Sequence, residues 1–423
     1  MPSRTNLVKG LSIPIRVISP MRLNFMLFGR QGRASISEIL TGIYVILRQR
    51  YSIVEGNSEN FVSPREKKFA NLLGYDFAIA CGSGGVAIQL SLRALNLNYG
   101  DKVAVQHNTC VATAQAILAA DLVPIFIKTL PGTFLLDKED LRKQVQGHNV
   151  KTIIATHLSG GIEDIENLIK IGNELGVPLI EDACLSLVPS RVKKCFAKIE
   201  IISFGFSKPI SVGEGAVIFT NDKLLATELR ALRHWGTDPN SNSVVDLVKA
   251  SWNGRITYLQ LAIASSKINQ YKLKRRLLMR RIKAINILTK KLGVPFSLYT
   301  GAAEEITQCG FNSIVFKFDK GLSQAERLRI LNALRSHKFR FKTTFFPSIP
   351  TFPIFQEIDS LARLVPLDVY KSNYHRIYQD KTTIDLVEFF SLEEKDLIAV
   401  YVYLKLAILI FSFRTVPIFD KRN

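Results

Sequence analysis

From about residue 76 the chain alternates short apolar runs with stretches of helical spacing, and this alternation constrains the fold more than any other feature. "DFAIAC", "DKVAVQ", "VPIFI", "KTIIATHL", "VPLIEDA", "EIISFGF" and "GAVIFT" read as strands. "GVAIQLSLRALNL", "ATAQAILAAD" and "IEDIENLIKIGNELG" read as helices between them, the last stopping on Gly176. Such an order predicts a mostly parallel sheet covered on both faces. Chemistry in such a sheet gathers at the carboxyl ends of the strands. The reading is a basic segment over 1–50 and a large α/β domain over 51–265. Beyond that, a long basic helix leads into "NSIVFKF" and "SQAERLRILNALRSH", so 266–423 reads as a linking helix and a smaller α+β domain.

Composition narrows the function. With 423 residues the chain is long enough for more than one core. The cysteines Cys81, Cys110, Cys184, Cys195 and Cys309 are odd in number and scattered, which points to reduced thiols in a cytoplasmic protein and to no metal cluster. The balance of 56 Lys+Arg against 36 Asp+Glu gives +20, suited to a nucleic acid, an anionic membrane or a phosphate-bearing substrate. No zinc-finger spacing, aromatic RNA-binding signature or helix-turn-helix pattern accompanies the charge, so no nucleic-acid partner is expected. The cations concentrate in "KLKRRLLMRRIK", where Leu273, Leu277 and Leu278 mark the expected buried stripe of a solvated helix. The apolar run Leu397–Phe413 holds Lys405 and reads as a buried terminal helix or strand. Peripheral membrane contact by this run and by the basic N-terminus is kept as a possible partner surface.

"FAIACGSGGVAIQL" is a strand, a glycine-rich turn and a helix start, an arrangement that offers backbone N–H groups to a phosphate. Gly82, Gly84 and Ala87 also fit a relaxed dinucleotide fingerprint. That oxidoreductase reading wants an acid at the end of the following strand, whereas Asp101 precedes "KVAVQ". The other reading is a phosphate cup for pyridoxal phosphate. It requires a strand-end carboxylate for the pyridine nitrogen, a lysine for a Schiff base, and a hydroxyl near that lysine. Asp182 ends "VPLIED", Lys208 follows the next strand, and Ser203 precedes it. The order glycine turn, Asp, Ser, Lys fits the fold-type-I pyridoxal phosphate enzymes.

On these residues the chain resembles the DegT-type aminotransferases, which aminate keto sugars on nucleotide carriers. Collinear blocks from Phe69 to Ala264 carry the resemblance, among them "FANLLGYDFAIACGSGGVAIQLSLRALNLNYGDKVAV", "SFGFSKPISVGEGAVIFTND", "LRALRHWGTD" and "WNGRITYLQLAIA". It implies that Lys208 is the Schiff-base lysine and proton carrier, and that Asp182 holds the pyridinium nitrogen. It also implies that Ser203 and the backbone of Ser83, Gly84 and Gly85 hold the phosphate. Asn253 would reach the phosphate of a neighbouring subunit, making a homodimer with a shared active site. His157 matches a histidine near the cofactor. The implied reaction takes an amino group, from glutamate, to a nucleotide-linked keto sugar.

Departures from the family pattern surround the cofactor position. Gly85 stands where the family has a phosphate-binding Thr, Cys110 where it has a stacking aromatic, and Leu185 where it has Gln or His. Ala197-Lys198 replaces a Gly-Asp pair. These changes support a second reading, a chain that keeps the fold as a binding, regulatory or partner subunit without catalysis. Retention of Lys208 argues against the dehydratase relatives, which carry histidine there.

Overall fold

The computed structural model describes residues 36–47, 59–158, 161–189, 195–206, 208–238, 246–310, 314–319, 321–336, 341–343, 348–351 and 389–392. The apolar run Leu397–Phe413 and the basic stretch before residue 36 lie outside the described residues. The chain begins with helices α1 (Ile36–Leu47) and α2 (Glu59–Leu73), then enters the large sheet. Its strands are β1 (Phe77–Cys81), β2 (Lys102–Gln106), β3 (Val123–Ile127), β4 (Val150–Thr156), β5 (Leu179–Asp182), β6 (Ile199–Ser203) and β7 (Ala216–Thr220). Between them run α3 (Gly84–Ala94), α4 (Val111–Ala119), α5 (Lys138–His148) and α6 (Ile165–Leu175), with α7 (Lys223–Arg233) after β7.

The strand order is β1-β7-β6-β5-β4-β2-β3. Only β7 runs against its neighbours, pairing antiparallel with β1 and β6, so the carboxyl ends of the other six strands share one edge. Side chains alternate between two cores, as a pleat requires. Ile79, Val103, Val105, Ile201 and Ile218 face α3, α4 and α7. Ala78, Ile202, Val217 and Phe219 face the other way, onto α2 and the long helix α8 (Tyr258–Leu292). Ala104, Ile153 and Ala155 lie on that second face under α5 and α6. Burial on both faces explains the unbroken apolar runs, each fully buried side chain contributing about 1.5–3 kcal/mol.

Thr257 opens α8 with a capping box to Gln260, and Gly293 closes it in the left-handed region. The helix first packs Leu261, Ile268 and Tyr271 on the large sheet. It then offers Met279, Ile282 and Ile285 to a second core with Phe316, Phe318 and Ile330. There β8 (Phe296–Leu298), β9 (Ile314–Phe318), β10 (Phe341–Thr343) and β11 (Phe389–Leu392) form an antiparallel sheet, order β10-β11-β9-β8, and α9 (Gln324–Ser336) follows β9. The expected stripe on α8 is corrected. Leu273 is 52% exposed, because it lies about 200° around the helix from the buried Tyr271. Leu277 and Leu278 are half-buried, and the true stripe passes through Met279, Ile282 and Ile285.

The edge strand β1 is protected by a buried ion pair. Ala80 N–H donates to Glu66 Oε1 at 2.8 Å, and Arg233 Nη1 donates to the same oxygen at 2.7 Å and to Ala80 C=O at 3.1 Å. The pair thus takes up backbone groups an edge strand leaves open. Glu66→Ala strands the guanidinium and the Ala80 N–H together. It is expected to cost about 3–5 kcal/mol in urea unfolding, and a loss below about 1 kcal/mol would contradict this role.

Candidate active site

The site forms where the carboxyl ends of β5 and β6 meet the turn after β1. Asp182 is the last residue of β5 and 1% exposed. Its Oδ2 accepts from Thr113 Oγ1 at 2.8 Å and Thr156 Oγ1 at 3.4 Å, and its Oδ1 accepts from Cys184 N–H at 3.1 Å. Thr113 comes from α4 and Thr156 from the end of β4, so three elements converge on one carboxylate. Among the described residues it makes no ion pair. A buried carboxylate held only by neutral donors is suited to a cation brought from outside.

Ser203 ends β6. Its Oγ donates to Gly215 C=O at 3.4 Å and accepts from Gly205 N–H at 3.2 Å. The loop 204–215 then carries Lys208 and returns as β7. Phe204 N–H to Gly215 C=O at 2.7 Å and Val212 N–H to Phe204 C=O at 3.0 Å close its neck. Gly215 has φ +131°, and a Cβ there would lie 2.5 Å from Ile256, so only glycine fits. Lys208 is half-buried; its N–H donates to Gly205 C=O at 3.2 Å, and its side chain makes no hydrogen bond or ion pair with the described residues.

The glycine turn closes the third side. Ser83 caps α3, its Oγ accepting from Val86 N–H at 3.2 Å. A Cβ built on Gly84 would meet Cys184 Sγ at 3.2 Å and Ser203 Oγ at 3.5 Å; one on Gly205 would meet Ser203 Oγ at 3.4 Å and Lys208 Cε at 3.8 Å. These contacts place Gly84, Cys184, Ser203 and Lys208 around one space, at the amino end of a helix whose free N–H groups favour an anion. Cys184 senses its whole circle. Burial pushes its thiol well up, the Asp182 carboxylate and Cys110 push the same way, and Lys208 pulls it down.

The structure therefore brings together Ser83, Gly84, Ser203, Asp182 and Lys208. Gly85 is adjacent and open, with Ser83 Oγ at 3.9 Å the nearest atom to a Cβ there. Cys110 caps α4 without a side-chain hydrogen bond. Leu185 packs with Phe134, Leu158, Tyr299 and Val315, on the side of the second sheet. Asn253 stands apart: it is exposed, and its Oδ1 accepts from Arg255 N–H at 3.2 Å. Its loop backs the glycine turn, with Gly82 N–H donating to Gly254 C=O at 2.9 Å. His157 is buried, its Nε2 2.9 Å from Glu181 Oε1.

The topology decides against the dinucleotide reading. The glycine-rich strand β1 is an edge strand beside an antiparallel neighbour, whereas that fingerprint belongs to a strand at a central switch point. The model of the DegT/DnrJ/EryC1/StrS aminotransferase family matches residues 51–376. The chain belongs to this family. The match reaches well past the blocks between Phe69 and Ala264 that carry the resemblance.

Among curated relatives, the family member GDP-perosamine synthase of Caulobacter vibrioides is 33% identical over 213 residues, 50% of this chain and 57% of that one. The UDP-2-acetamido-2-deoxy-3-oxo-D-glucuronate aminotransferase of Pseudomonas aeruginosa is 29% identical over 237 residues, 55% of this chain and 65% of the relative. The chain thus matches less than two thirds of either relative's length. Among solved structures, NtdA from Bacillus subtilis with bound cofactor PMP superposes with a TM-score of 0.67 at 21% identity, covering 87% of this chain and 81% of that one. This likeness shows the fold, a fold-type-I α/β architecture with a mostly parallel central sheet.

Proposed function

We propose that the chain is a pyridoxal phosphate-dependent aminotransferase that moves an amino group from glutamate to a nucleotide-linked keto sugar. The observation that carries this is Asp182, a buried carboxylate that makes no ion pair among the described residues, set near Lys208, whose side chain has no partner among them. Family membership and the activities of the two curated relatives support the same reaction class.

The residues fit the cofactor. Asp182 would take a protonated ring nitrogen. Ser83, Gly84 and Gly85 at the start of α3, with Ser203 at the end of β6, would take its phosphate. Bound there, the cofactor supplies an electron sink for amino transfer. Lys208 would hold the group covalently through Nζ and, when released from it, would serve as the proton carrier. Thr113 Oγ1 and Cys184 N–H orient Asp182, since both donate to its carboxylate. Burial on both sides excludes bulk water from that carboxylate.

On this reading residues 51–265 form the cofactor-binding domain and 266–423 the linking helix and small domain. The protein works as a homodimer in the cytoplasm, with Asn253 reaching across to a second site. The surplus of 20 positive charges favours a diphosphate-bearing substrate. Peripheral membrane contact remains part of this proposal; no helix among the described residues is long and apolar enough to cross a membrane.

The test is amino transfer from glutamate to a panel of keto-sugar nucleotides by the purified chain. Turnover supports the proposal and refutes the second reading, a non-catalytic subunit. That second reading is favoured by Leu185, whose apolar packing replaces a polar contact. Absence of turnover across the panel, with cofactor bound, would favour it.

Gly85 allows a sharper check. The open space above it accepts a larger side chain, and Gly85→Thr adds a hydroxyl at the phosphate turn. One added hydrogen bond is expected to lower the dissociation constant for pyridoxal phosphate about 2- to 10-fold. An unchanged constant would place the phosphate elsewhere.

A further inference from the structure

Behind Asp182 a side chain joins the ends of two strands. The β2–β4 ladder stops at Val105 opposite Ile154. Gln106 continues it with its carboxamide: Oε1 accepts from Thr156 N–H at 2.7 Å, and Nε2 donates to Thr156 C=O at 3.1 Å. The same Nε2 donates to Phe134 C=O at 2.8 Å and to Glu163 Oε1 at 2.6 Å. The two ends of a carboxamide have nearly the same shape, so the partners decide which way it faces. Glu163, an acceptor on the Nε2 side, adds a charge-capable partner to the two carbonyls that favour that orientation.

Glu163 is itself locked. Its Oε1 also accepts from Leu136 N–H at 3.0 Å. Its own N–H donates to His157 Nδ1 at 2.9 Å, which leaves the ring proton on Nε2, facing Glu181. Gln106, His157, Glu163 and Glu181 are all at most 3% exposed. The far end of the chain of bonds is Thr156, whose hydroxyl donates to Asp182 and accepts from Thr109 Oγ1 at 3.0 Å.

We propose that Glu163 is a positioning residue for Asp182: through Gln106 and Thr156 it fixes the carboxylate that the site presents to a cationic ligand. The proposal rests on the role given to Asp182 above. It concerns a buried group outside the residues assigned to the cofactor.

The charged surroundings of Glu163 give the proposal a pH signature. Asp164 and Lys138 flank it, His157 and Glu181 lie behind it, and Tyr299 approaches from the second sheet. Burial pushes the Glu163 carboxyl from its ordinary 4.5 up to about 8, against the opposing pull of the Leu136 and Asp164 N–H groups and Lys138. The folded chain thus keeps a proton that the unfolded chain has released. The stability this group contributes is full below about pH 4.5 and is lost as pH rises through about 8.

The experiment compares Glu163→Gln, Glu163→Ala and the parent chain by two readouts. The first is the melting temperature without cofactor from pH 5 to 9. The parent should lose stability toward pH 8, and Glu163→Gln, which keeps an acceptor but cannot ionise, should lose that slope. The second is the pH midpoint of the visible absorbance of bound pyridoxal phosphate. Glu163→Ala should move it by about half a unit or more and weaken binding several-fold, while Glu163→Gln stays near the parent. A Glu163→Ala chain that melts lower yet keeps the parent midpoint overturns the proposal, since a merely structural residue behaves so. If the parent chain binds no cofactor, the proposed function has failed instead. The coupling is then read from melting temperatures of Glu163→Ala, Asp182→Ala and the double variant. Non-additive losses support positioning, and additive losses overturn it.

Discussion

Lys208→Ala is expected to abolish the visible absorbance of bound pyridoxal phosphate and to lower amino transfer by roughly 10²–10⁴-fold. The fold survives, because the loop 204–215 is set by its neck and not by this side chain. Phe204 N–H, Val212 N–H and Gly215 make the turn without Lys208, so its melting curve should stay near the parent's. The neighbouring strand-start lysine is no stand-in. Lys198 precedes β6 at the opposite edge of the sheet and is engaged with Asp222 at 2.6 Å. Parent-like absorbance in the variant would mean that another amine holds the cofactor.

Asp182→Asn is the second large effect, and it separates charge from shape. The amide keeps one oxygen as an acceptor for Cys184 N–H, and the Thr113 and Thr156 hydroxyls can rotate to meet its NH₂. Stability should change little. The negative charge facing the ligand is gone, so turnover should fall by roughly 10²–10³-fold, comparable to removing one fixed transition-state contact. Asp182→Ala differs in kind. It leaves the Thr113 hydroxyl and the Cys184 N–H without their acceptor, at about 1–3 kcal/mol for each buried group. An Asn variant with parent turnover would show that the carboxylate charge has no part in the reaction.

Much of the large sheet was legible because its strands are buried on both faces. "VPIFI" and "GAVIFT" read as strands for the same reason that Val123–Ile127 and Ala216–Thr220 are fully buried. Gly176 announced the end of α6, and it adopts φ +67° there. Helix α5 was not legible. Its stretch is polar, and it buries only Leu141, Gln144 and Val145. The reversed direction of β7 leaves no trace in an apolar run, since either direction buries the same residues. The phase of α8 was misjudged at Leu273, where leucines among cations suggested a stripe that the helix does not bury.

The candidate site divides along similar lines. The positions of Asp182, Ser203 and Lys208 were legible because each lies at or just after a strand end, in an order with chemical meaning. Their supports were not. Thr113 meets Asp182 across 69 residues of sequence, and Gln106 meets Glu163 across 57. Nothing in local spacing pairs such residues; only the strand order brings them together. Glu163 in particular read as one acid of an amphipathic helix start, whereas the chain buries it before α6 begins.

The most direct measurement is the absorbance spectrum of the purified chain titrated with pyridoxal phosphate, followed by borohydride reduction and peptide mass mapping. The account predicts a saturable visible band and, after reduction, a cofactor adduct on Lys208. No band at saturating cofactor, or an adduct on any other lysine, would contradict it.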